Sequence, residues 1–361
     1  MVEAGRVKID AKDRKILYWL DVDARMPASA LAKRAGLSKE GANYRINGLF
    51  ESKVIDKALI VVDVGRLGFQ FYKLYFQFQR ITTAQERQIL DYFIAHERVA
   101  FMAHCEGKYD LIIALMARSP NDFNGILDAI LKKFGSFIRS YDTTVTLEGK
   151  ELSRKFLASE KEGKEVAKSG WTGPAANVEL DRTDAGILAL LGEDGRIPAA
   201  EIARRMGISG DTVSKRMKGL MDSGVISGFH LQLNKTKIGY AYHKVLLTLE
   251  MIGEKREREV MKYLESHPNV VYVLKTLGPW NMEIDVEVRD DQPFYKVMRQ
   301  MRDELGDVIR DYESVYVFEE PKFNFVPMGE KVLQKQEALE RAFGSTRGAK
   351  PFVRDKRDRV F

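Results

Sequence analysis

The chain has 361 residues, of which 45% are hydrophobic and 30% are charged, and its formal net charge is +6. This length and apolar content predict a folded protein of about two domains, and the positive balance favours polyanionic partners. No run approaches the roughly 18 apolar residues of a membrane span, and the N-terminal residues lack the apolar centre of a signal peptide. We therefore expect a cytoplasmic protein without a membrane partner.

The N-terminal segment predicts three helices followed by a strand. In IDAKDRKILYWL, Asp10 can cap a helix that gathers its apolar residues on one face. A short helix, a turn at Gly36-Leu37-Ser38 and another helix follow, because glycine can end the short helix in a left-handed conformation and serine can cap the next. A strand then begins within VIDKALIVVD. This pattern indicates a helix-turn-helix, whose second helix enters the DNA major groove.

The next segment predicts a ferredoxin-like domain. FYKLYFQF alternates as a strand does, a helix is expected around 84–96, and a hairpin should turn at 106–108. A second helix around 121–134 and the strand RSYDTTVTL complete a β-α-β-β-α-β order, in which both helices cover one face of an antiparallel sheet. The other face, which includes many aromatic residues, should pack against another sheet or subunit.

Both segments occur twice. Asp10 matches Asp181 and Tyr141 matches Tyr312, each at an offset of 171 residues, and the match runs without a gap between them. The repeat is a tandem duplication of a unit of roughly 140 residues, about the size of a domain pair, and we name its halves copy one and copy two. The predicted fold class is α+β, with two winged helix-turn-helix domains alternating with two ferredoxin-like effector domains.

The duplication sets the expected domain boundaries. We predict helix-turn-helix domains at 1–64 and 180–235, effector domains at 65–148 and 236–327, a linker at 149–179 and a basic tail at 328–361. The linker composition indicates a short helix followed by a segment rich in small residues. The tail has a net charge of 9 − 5 = +4 and is either a frayed solvated end or an arm that contacts DNA.

The outward residues of each second helix are the candidate DNA contacts. They are Lys39, Asn43, Tyr44 and Asn47 in copy one, and Thr212, Ser214, Lys215 and Lys218 in copy two. Asparagine can bond adenine and lysine can reach guanine or phosphate. Arg45 and Arg216 lie beside them and should hold either a phosphate or a structural carboxylate.

Copy one carries a weaker helix signal. Gly41 and Ala42 stand where copy two has Thr212 and Val213, and a glycine costs a helix interior up to about 1 kcal/mol. We therefore expect copy two to bind DNA more strongly than copy one. The alternative for either copy is a three-helix domain used for protein contacts alone.

These residues together resemble the Lrp/AsnC family of transcription regulators. The resemblance rests on Asp23-Ala24-Arg25, Gly36-Leu37-Ser38 and Val54-Ile55, on Asp194-Gly195-Arg196, Gly207-Ile208-Ser209 and Gly224-Val225-Ile226, and on the Gly-x-Tyr-Asp of HERVAFMAHCEGKYDLII. It implies a DNA-binding regulator whose effector domains pair into a two-sheet sandwich, often assemble further, and bind amino acids or related small molecules.

The resemblance also implies an effector site at the hairpin turn. The matching residues are Gly107, Tyr109 and Asp110 in copy one, and Gly278, Trp280 and Asn281 in copy two. The change from Asp110 to Asn281 removes a carboxylate that could pair with an α-amino group, so an ordinary amino-acid site is doubtful in copy two. The alternative is that these residues only shape the hairpin.

Two assemblies follow from the duplication. If the effector domains of one chain pair with each other, a single polypeptide forms the pseudo-twofold that DNA half-sites require, and the operator should be asymmetric. If like copies pair between chains, the homo-oligomer presents four recognition helices.

An enzyme is the other class to weigh, because the siroheme decarboxylases resemble this family and bind a tetrapyrrole. His96 and His267 occupy equivalent positions where a helix should end, which indicates a structural or helix-dipole role. His104 and His243 could line a pocket. Nothing resembles a catalytic constellation, so we expect neither an enzyme nor a cofactor or metal site. A corepressor that binds ligand and partner regulators without DNA is a third hypothesis.

Overall fold

The structure, a computed structural model, describes residues 5–158, 169–172, 178–289 and 293–329. The helices are α1 (Ala11–Val22), α2 (Ala28–Ala35), α3 (Lys39–Glu51), α4 (Thr83–Ala95), α5 (Pro120–Phe134), α6 (Arg182–Glu193), α7 (Ala199–Met206), α8 (Gly210–Asp222), α9 (Glu254–Ser266) and α10 (Phe294–Leu305). The strands are β1 (Ile55–Val62), β2 (Gln70–Phe78), β3 (Val99–Glu106), β4 (Leu111–Ala117), β5 (Ile138–Glu151), β6 (Ser169–Thr172), β7 (Ile226–Leu233), β8 (Tyr240–Leu249), β9 (Val270–Leu277), β10 (Met282–Arg289) and β11 (Ile309–Phe323). Among these helices, none is long and apolar enough to cross a membrane.

The element order confirms the predicted α+β fold class. Helices α1–α3 with β1, and α6–α8 with β7, form the two helix-turn-helix domains, and each is followed by a β-α-β-β-α-β unit. Asp10 caps α1 by accepting hydrogen bonds from the backbone amides of Lys12 and Asp13, and Asp181 caps α6 through the amide of Asp184. The same local signals therefore start the same helices in both copies.

The two effector domains form one closed set of strands. The order is β2-β4-β3-β11-β8-β10-β9-β5, and β5 pairs back with β2. The long strands β5 and β11 close it, because each pairs with its own sheet along its first part and with the other copy along its second part. The sheet face predicted to need a partner thus packs against the other copy within the same chain.

The opposite face of each sheet packs under its own helices. Tyr72, Leu74 and Phe76 of β2 lie in a core with α4 and α5, and Val245 and Leu247 of β8 lie in the equivalent core of copy two. Cys105 is buried, and burial raises the pKa of its thiol to about 12. This thiol is therefore inert at neutral pH.

Ion pairs are buried between the two sheets. Lys73 of β2 pairs with Glu283 of β10, and the ammonium of Lys244 lies 2.7 Å from a carboxylate oxygen of Asp285. Arg154 donates to Glu287 at 2.9 Å. All of these side chains are at most 5% exposed, so each charge depends on its partner rather than on water.

The linker differs from its prediction. Strand β5 continues past residue 148 to Glu151, and β6 from the predicted linker pairs with its end. Trp171 of β6 packs on Gly149, where an added Cβ would lie 2.2 Å from the indole. Leu157 ends a single 3-10 turn, while residues 159–168 and 173–177 of the predicted linker lie outside the described residues, as does the tail from 330 onward. The secondary structure of this region depends on interstrand pairing, which local composition does not reveal.

Candidate nucleic-acid interface

The recognition helices α3 and α8 begin as predicted. Gly36 and Gly207 adopt left-handed φ angles of 65° and 67°, which end the preceding short helices. The hydroxyl oxygen of Ser38 accepts from the amide of Gly41 at 3.0 Å, and that of Ser209 accepts from Thr212 at 3.1 Å. Both helix starts are therefore capped in the same way.

One face of each recognition helix is buried and the other is open to solvent. Ile46 and Leu49 are buried in copy one, as are Met217 and Leu220 in copy two. The predicted contacts on the open faces are all exposed, namely Lys39, Asn43, Tyr44, Asn47, Thr212, Ser214, Lys215 and Lys218. Tyr44 is 82% exposed, although a large aromatic ring would normally bury more of its surface.

Arg45 and Arg216 do not belong to the open faces. The Arg45 guanidinium donates to Asp10 at 2.8 Å and to Asp13 at 2.7 Å, and these hydrogen bonds raise its pKa. Arg216 makes the equivalent ion pair with Asp181 at 2.8 Å. Both arginines thus have the structural carboxylate partners that the sequence analysis allowed, and these ion pairs tie each recognition helix to the start of the first helix.

The weaker sequence of copy one does not shorten its recognition helix. Both α3 and α8 have 13 residues, and Ala42 is as fully buried as Val213. Gly41 is followed directly by regular helix, although an added Cβ there would lie 3.2 Å from the Ser38 hydroxyl. The weaker helix signal of copy one therefore has no visible effect on the backbone of this helix.

The two helix-turn-helix domains are joined to each other. Strands β1 and β7 pair antiparallel, with Ile60 opposite Phe229. Arg25 of copy one donates to the carbonyl oxygen of Gly195 at 2.7 Å, and Arg196 of copy two donates to that of Ala24. This exchange is reciprocal, because Arg25 and Arg196 are equivalent residues, and it fixes the two recognition helices relative to one another.

Sequence reasoning missed this joint. The signal was present as Asp-x-Arg in both copies, since Asp23 and Asp194 each accept from the amide of the following arginine at 2.9 and 2.8 Å. Burial lowers the pKa of Arg25 and of Arg196. Carbonyl oxygens of the opposite domain offset part of that cost.

The basic charge differs between the short helices. In copy two, Glu201 accepts from Arg204 and from Arg205 at 2.8 Å each, and these bonds lower its pKa to about 2. Copy one has Ala30 in the place of Glu201, and Lys33 forms no ion pair with any residue in the described ranges. The short helix of copy one therefore lacks the carboxylate that pairs with two arginines in copy two.

The predicted effector turns are packed between the two copies. Tyr109 is 1% exposed and donates to Asp142 at 2.6 Å, while Trp280 is 5% exposed and donates to Glu283 at 3.2 Å. Their ring centroids are 6.2 Å apart. The turns therefore meet at the pseudo-twofold axis, with their polar atoms already engaged.

The remaining turn residues also hold the hairpins. Asp110 accepts from the backbone amide of Phe78 at 2.6 Å, and Asn281 accepts from the amide of Leu249 at 2.8 Å. Since Phe78 and Leu249 are equivalent, the carboxylate and the amide perform the same task. Gly107 has a φ of 127° and faces β11.

Gly278 makes room for the other copy. An added Cβ at this position would lie 2.8 Å from the carbonyl oxygen of Thr143 in β5. The hairpin-shaping alternative thus accounts for the geometry of both turns.

The histidines have local partners. His96 and His267 cap the ends of α4 and α9, their Nδ1 atoms accept from nearby backbone amides, and burial lowers the pKa of both. Of the two predicted roles, the structural one fits this geometry. The helix-dipole role does not, because it needs a protonated imidazole. His104 contacts Glu86 at 2.9 Å, and His243 stacks on Phe294 beneath the helices with its pKa lowered to about 4 by burial.

Two family models match the helix-turn-helix domains. Residues 9–49 match the AsnC-type helix-turn-helix domain, and residues 180–227 match a winged helix-turn-helix DNA-binding domain. The HTH-type transcriptional regulator FL11 of Pyrococcus furiosus is 30% identical over 31% of this chain and 74% of its own length. An uncharacterised HTH-type transcriptional regulator of Pyrococcus abyssi is 32% identical over 38% of this chain and 85% of its own length. The chain belongs to the Lrp/AsnC family.

This Lrp/AsnC protein has its tandem arrangement in common with a solved structure. The siroheme decarboxylase NirDL, in complex with an iron-uroporphyrin III analogue, superposes with a TM-score of 0.56 at 14% sequence identity. The match covers 92% of this chain and 100% of that one. At this level of identity the likeness is one of fold.

Proposed function

We propose that the chain is a sequence-specific DNA-binding regulator in which the two helix-turn-helix domains of one polypeptide act as a pseudo-dimer. The observation that carries this proposal is the joint between β1 and β7, with its reciprocal Arg25 and Arg196 contacts. It holds two exposed recognition faces in a fixed pair, as binding to two half-sites requires.

The buried charges favour pairing of copy one with copy two. Copy two supplies Glu283, Asp285 and Glu287 from β10, and the equivalent positions of copy one are apolar, namely Ile112, Ala114 and Met116. Both copies supply a lysine, Lys73 or Lys244. A pair formed by two copies of copy one would bury its lysines without the acids of β10. A pair formed by two copies of copy two would bury an excess of acids. In the mixed pair, Glu283 of copy two is matched by Lys73 of copy one, and Glu287 is matched by Arg154, which follows β5.

The two exposed faces differ, so the proposed operator is asymmetric. Copy one offers Asn43 and Tyr44 where copy two offers Ser214 and Lys215. A neutral amide and ring select bases, whereas a lysine adds a phosphate or guanine contact.

The test is selection of bound oligonucleotides by the full chain, followed by salt titration of the best site. Lys215→Ala should weaken binding and reduce the slope of log affinity against log salt by about one, while Tyr44→Ala should alter base preference in the other half-site and leave that slope unchanged. Lys262→Ala, on the exposed face of α9, is the matched control. Equal effects of both variants on both half-sites would contradict separate recognition, and a wild type that selects no sequence would support a corepressor.

A tetrapyrrole enzyme is the second candidate, supported by the fold match to NirDL across that protein's whole length. The cavity beside Lys73 and Lys244 has a volume of about 50 Å³, which is far below the roughly 300 Å³ of a small-molecule site. Incubation with siroheme, followed by an absorption spectrum, separates the candidates. A saturable spectral shift with loss of carboxyl groups would favour the enzyme, and an unchanged spectrum would remove it.

A further inference from the structure

We propose that the pocket between the helix-turn-helix pair and the effector sheets binds a small anion, a carboxylate or a phosphate. Its use as the regulatory site of a DNA-binding protein rests on the function proposed above. The site is distinct from the hairpin turns at Tyr109 and Trp280.

The pocket lies where three parts of the chain meet. Lys57 enters from β1, Asn234 and Lys235 from the segment after β7, and Glu320 and Lys322 from the end of β11. Its volume is about 520 Å³, which is within the range of small-molecule sites. Gln232 of β7 donates to the carbonyl oxygen of Glu320 at 3.3 Å and closes one wall.

The equivalent junction on the other side of the pseudo-twofold is filled by the linker. There Trp171 occupies the space left by Gly149, and the amide of Thr172 donates to Asp63 at 3.1 Å. Gly228 leaves room for Ser169, with 2.9 Å between an added Cβ and the serine Cβ. The junction on this side is therefore closed by packed side chains of the linker.

The open junction has diverged at the same positions. Lys57 stands in the place of Gly228, and Glu320 stands in the place of Gly149. The glycines that admit the linker strand in one junction have thus been replaced by long charged side chains in the other. The residues at these two positions distinguish the polar pocket from the filled junction.

The ammonium groups of this pocket are only partly compensated. Lys235 pairs with Glu320, and Lys322 donates to the carbonyl oxygen of His96 at 2.7 Å. Lys57 is half-buried, and its ammonium group makes no hydrogen bond or ion pair with any residue in the described ranges. A ligand anion would supply the missing partner.

Burial disfavours the charged forms of the three lysines in this pocket. It lowers the pKa of Lys235 to about 8, and burial together with the charge of Lys57 lowers that of Lys322 to about 8. Burial also lowers the pKa of Lys57. An anion between these groups would stabilise their charged forms.

The rim limits the size and charge of the ligand. Asp56 and Glu319 are exposed at the edge of the pocket and would repel a large polyanion. A small carboxylate or phosphate reaches the lysines without approaching both acids. Because β1 belongs to the DNA-binding pair and β11 to the effector sheets, an occupant would contact both.

The experiment is calorimetric titration of the full chain, without DNA, with inorganic phosphate and separately with acetate. We expect saturable binding of at least one probe, a loss of about tenfold in affinity in Lys57→Gln, and no change in Lys262→Gln. The probe that binds more tightly identifies the class of anion. Circular dichroism of each variant verifies the fold.

Two results would overturn the proposal, namely no saturable binding of either probe and equal affinity in Lys57→Gln and wild type. Neither depends on DNA, so both leave the proposed DNA-binding function untouched. Conversely, the chain could bind phosphate through Lys57 but select no oligonucleotide. The anion site would then stand, and its interpretation as a regulatory site would be wrong.

Discussion

At the scale of single residues, the recognition helices separate two uses of positive charge. Arg45 reaches back to the first turn of α1, where Asp10 already caps the helix and Asp13 completes the capping box. The adjacent Tyr44 points away into solvent. Neighbouring positions on one helix thus serve stability and surface recognition, because successive residues are about 100° apart around its axis.

This division predicts different outcomes for neighbouring substitutions. Arg45→Ala should lower the free energy of unfolding by about 1 kcal/mol, since it removes a partly exposed ion pair with two carboxylates. Tyr44→Ala should change it by less than about 0.5 kcal/mol. Chemical denaturation of both variants measures the difference. Equal stability of the two would mean that the arginine is not structural.

At the scale of elements, local signals predicted the helices more fully than the strands. Caps at Asp10, Ser38 and Ser209 act within three residues, so a single sequence exposes them. Strand β6 and the end of β5 depend on a contact between Trp171 and Gly149, which are separated by 21 intervening residues. No local pattern distinguishes such a strand from a linker.

Each recognition helix also contains an exposed glycine, which is unfavourable within a helix. Gly48 and Gly219 occupy equivalent exposed positions, and an added Cβ at either would meet nothing within 4 Å. A helical glycine costs roughly 0.5–1 kcal/mol relative to alanine, so packing does not explain its presence.

Gly219→Ala should therefore stabilise the protein by about 0.5–1 kcal/mol, which a rise in the thermal midpoint would report. Gly48→Ala is its matched counterpart in copy one and should act in the same direction. A fall in the midpoint for either would show that the glycine is required by the fold. DNA affinity measured in parallel shows whether the added methyl group obstructs the duplex.

At the scale of the whole molecule, the candidate site was only partly visible in the sequence. The exposed faces of α3 and α8 follow from helical periodicity, and the duplication follows from the constant offset of 171 residues. The partners of Lys73 and Arg25 do not, because Glu283 and Gly195 lie 210 and 170 residues away. The closed arrangement of strands brings Lys73 to Glu283, and the joint between β1 and β7 brings Arg25 to Gly195.

The buried pair between copies gives the corresponding prediction. Glu283→Gln should destabilise the protein by about 3 kcal/mol or more, since Lys73 would remain buried without its carboxylate. The double variant Lys73→Met with Glu283→Gln should recover part of that loss. The two unfolding energies, measured by denaturant titration, test the coupling. A double variant no more stable than the single one would show that charge balance does not govern the pairing of the copies.

The joint between β1 and β7 determines how the pairing of the two DNA-binding domains responds to dilution. A regulator built from separate subunits loses its paired form when its concentration falls below the dissociation constant of the dimer. Here the partner of each DNA-binding domain travels on the same polypeptide, so the paired form does not depend on meeting another molecule. On the function proposed above, operator occupancy should therefore rise in proportion to the number of chains, without a threshold, even in a cell that holds only a few of them.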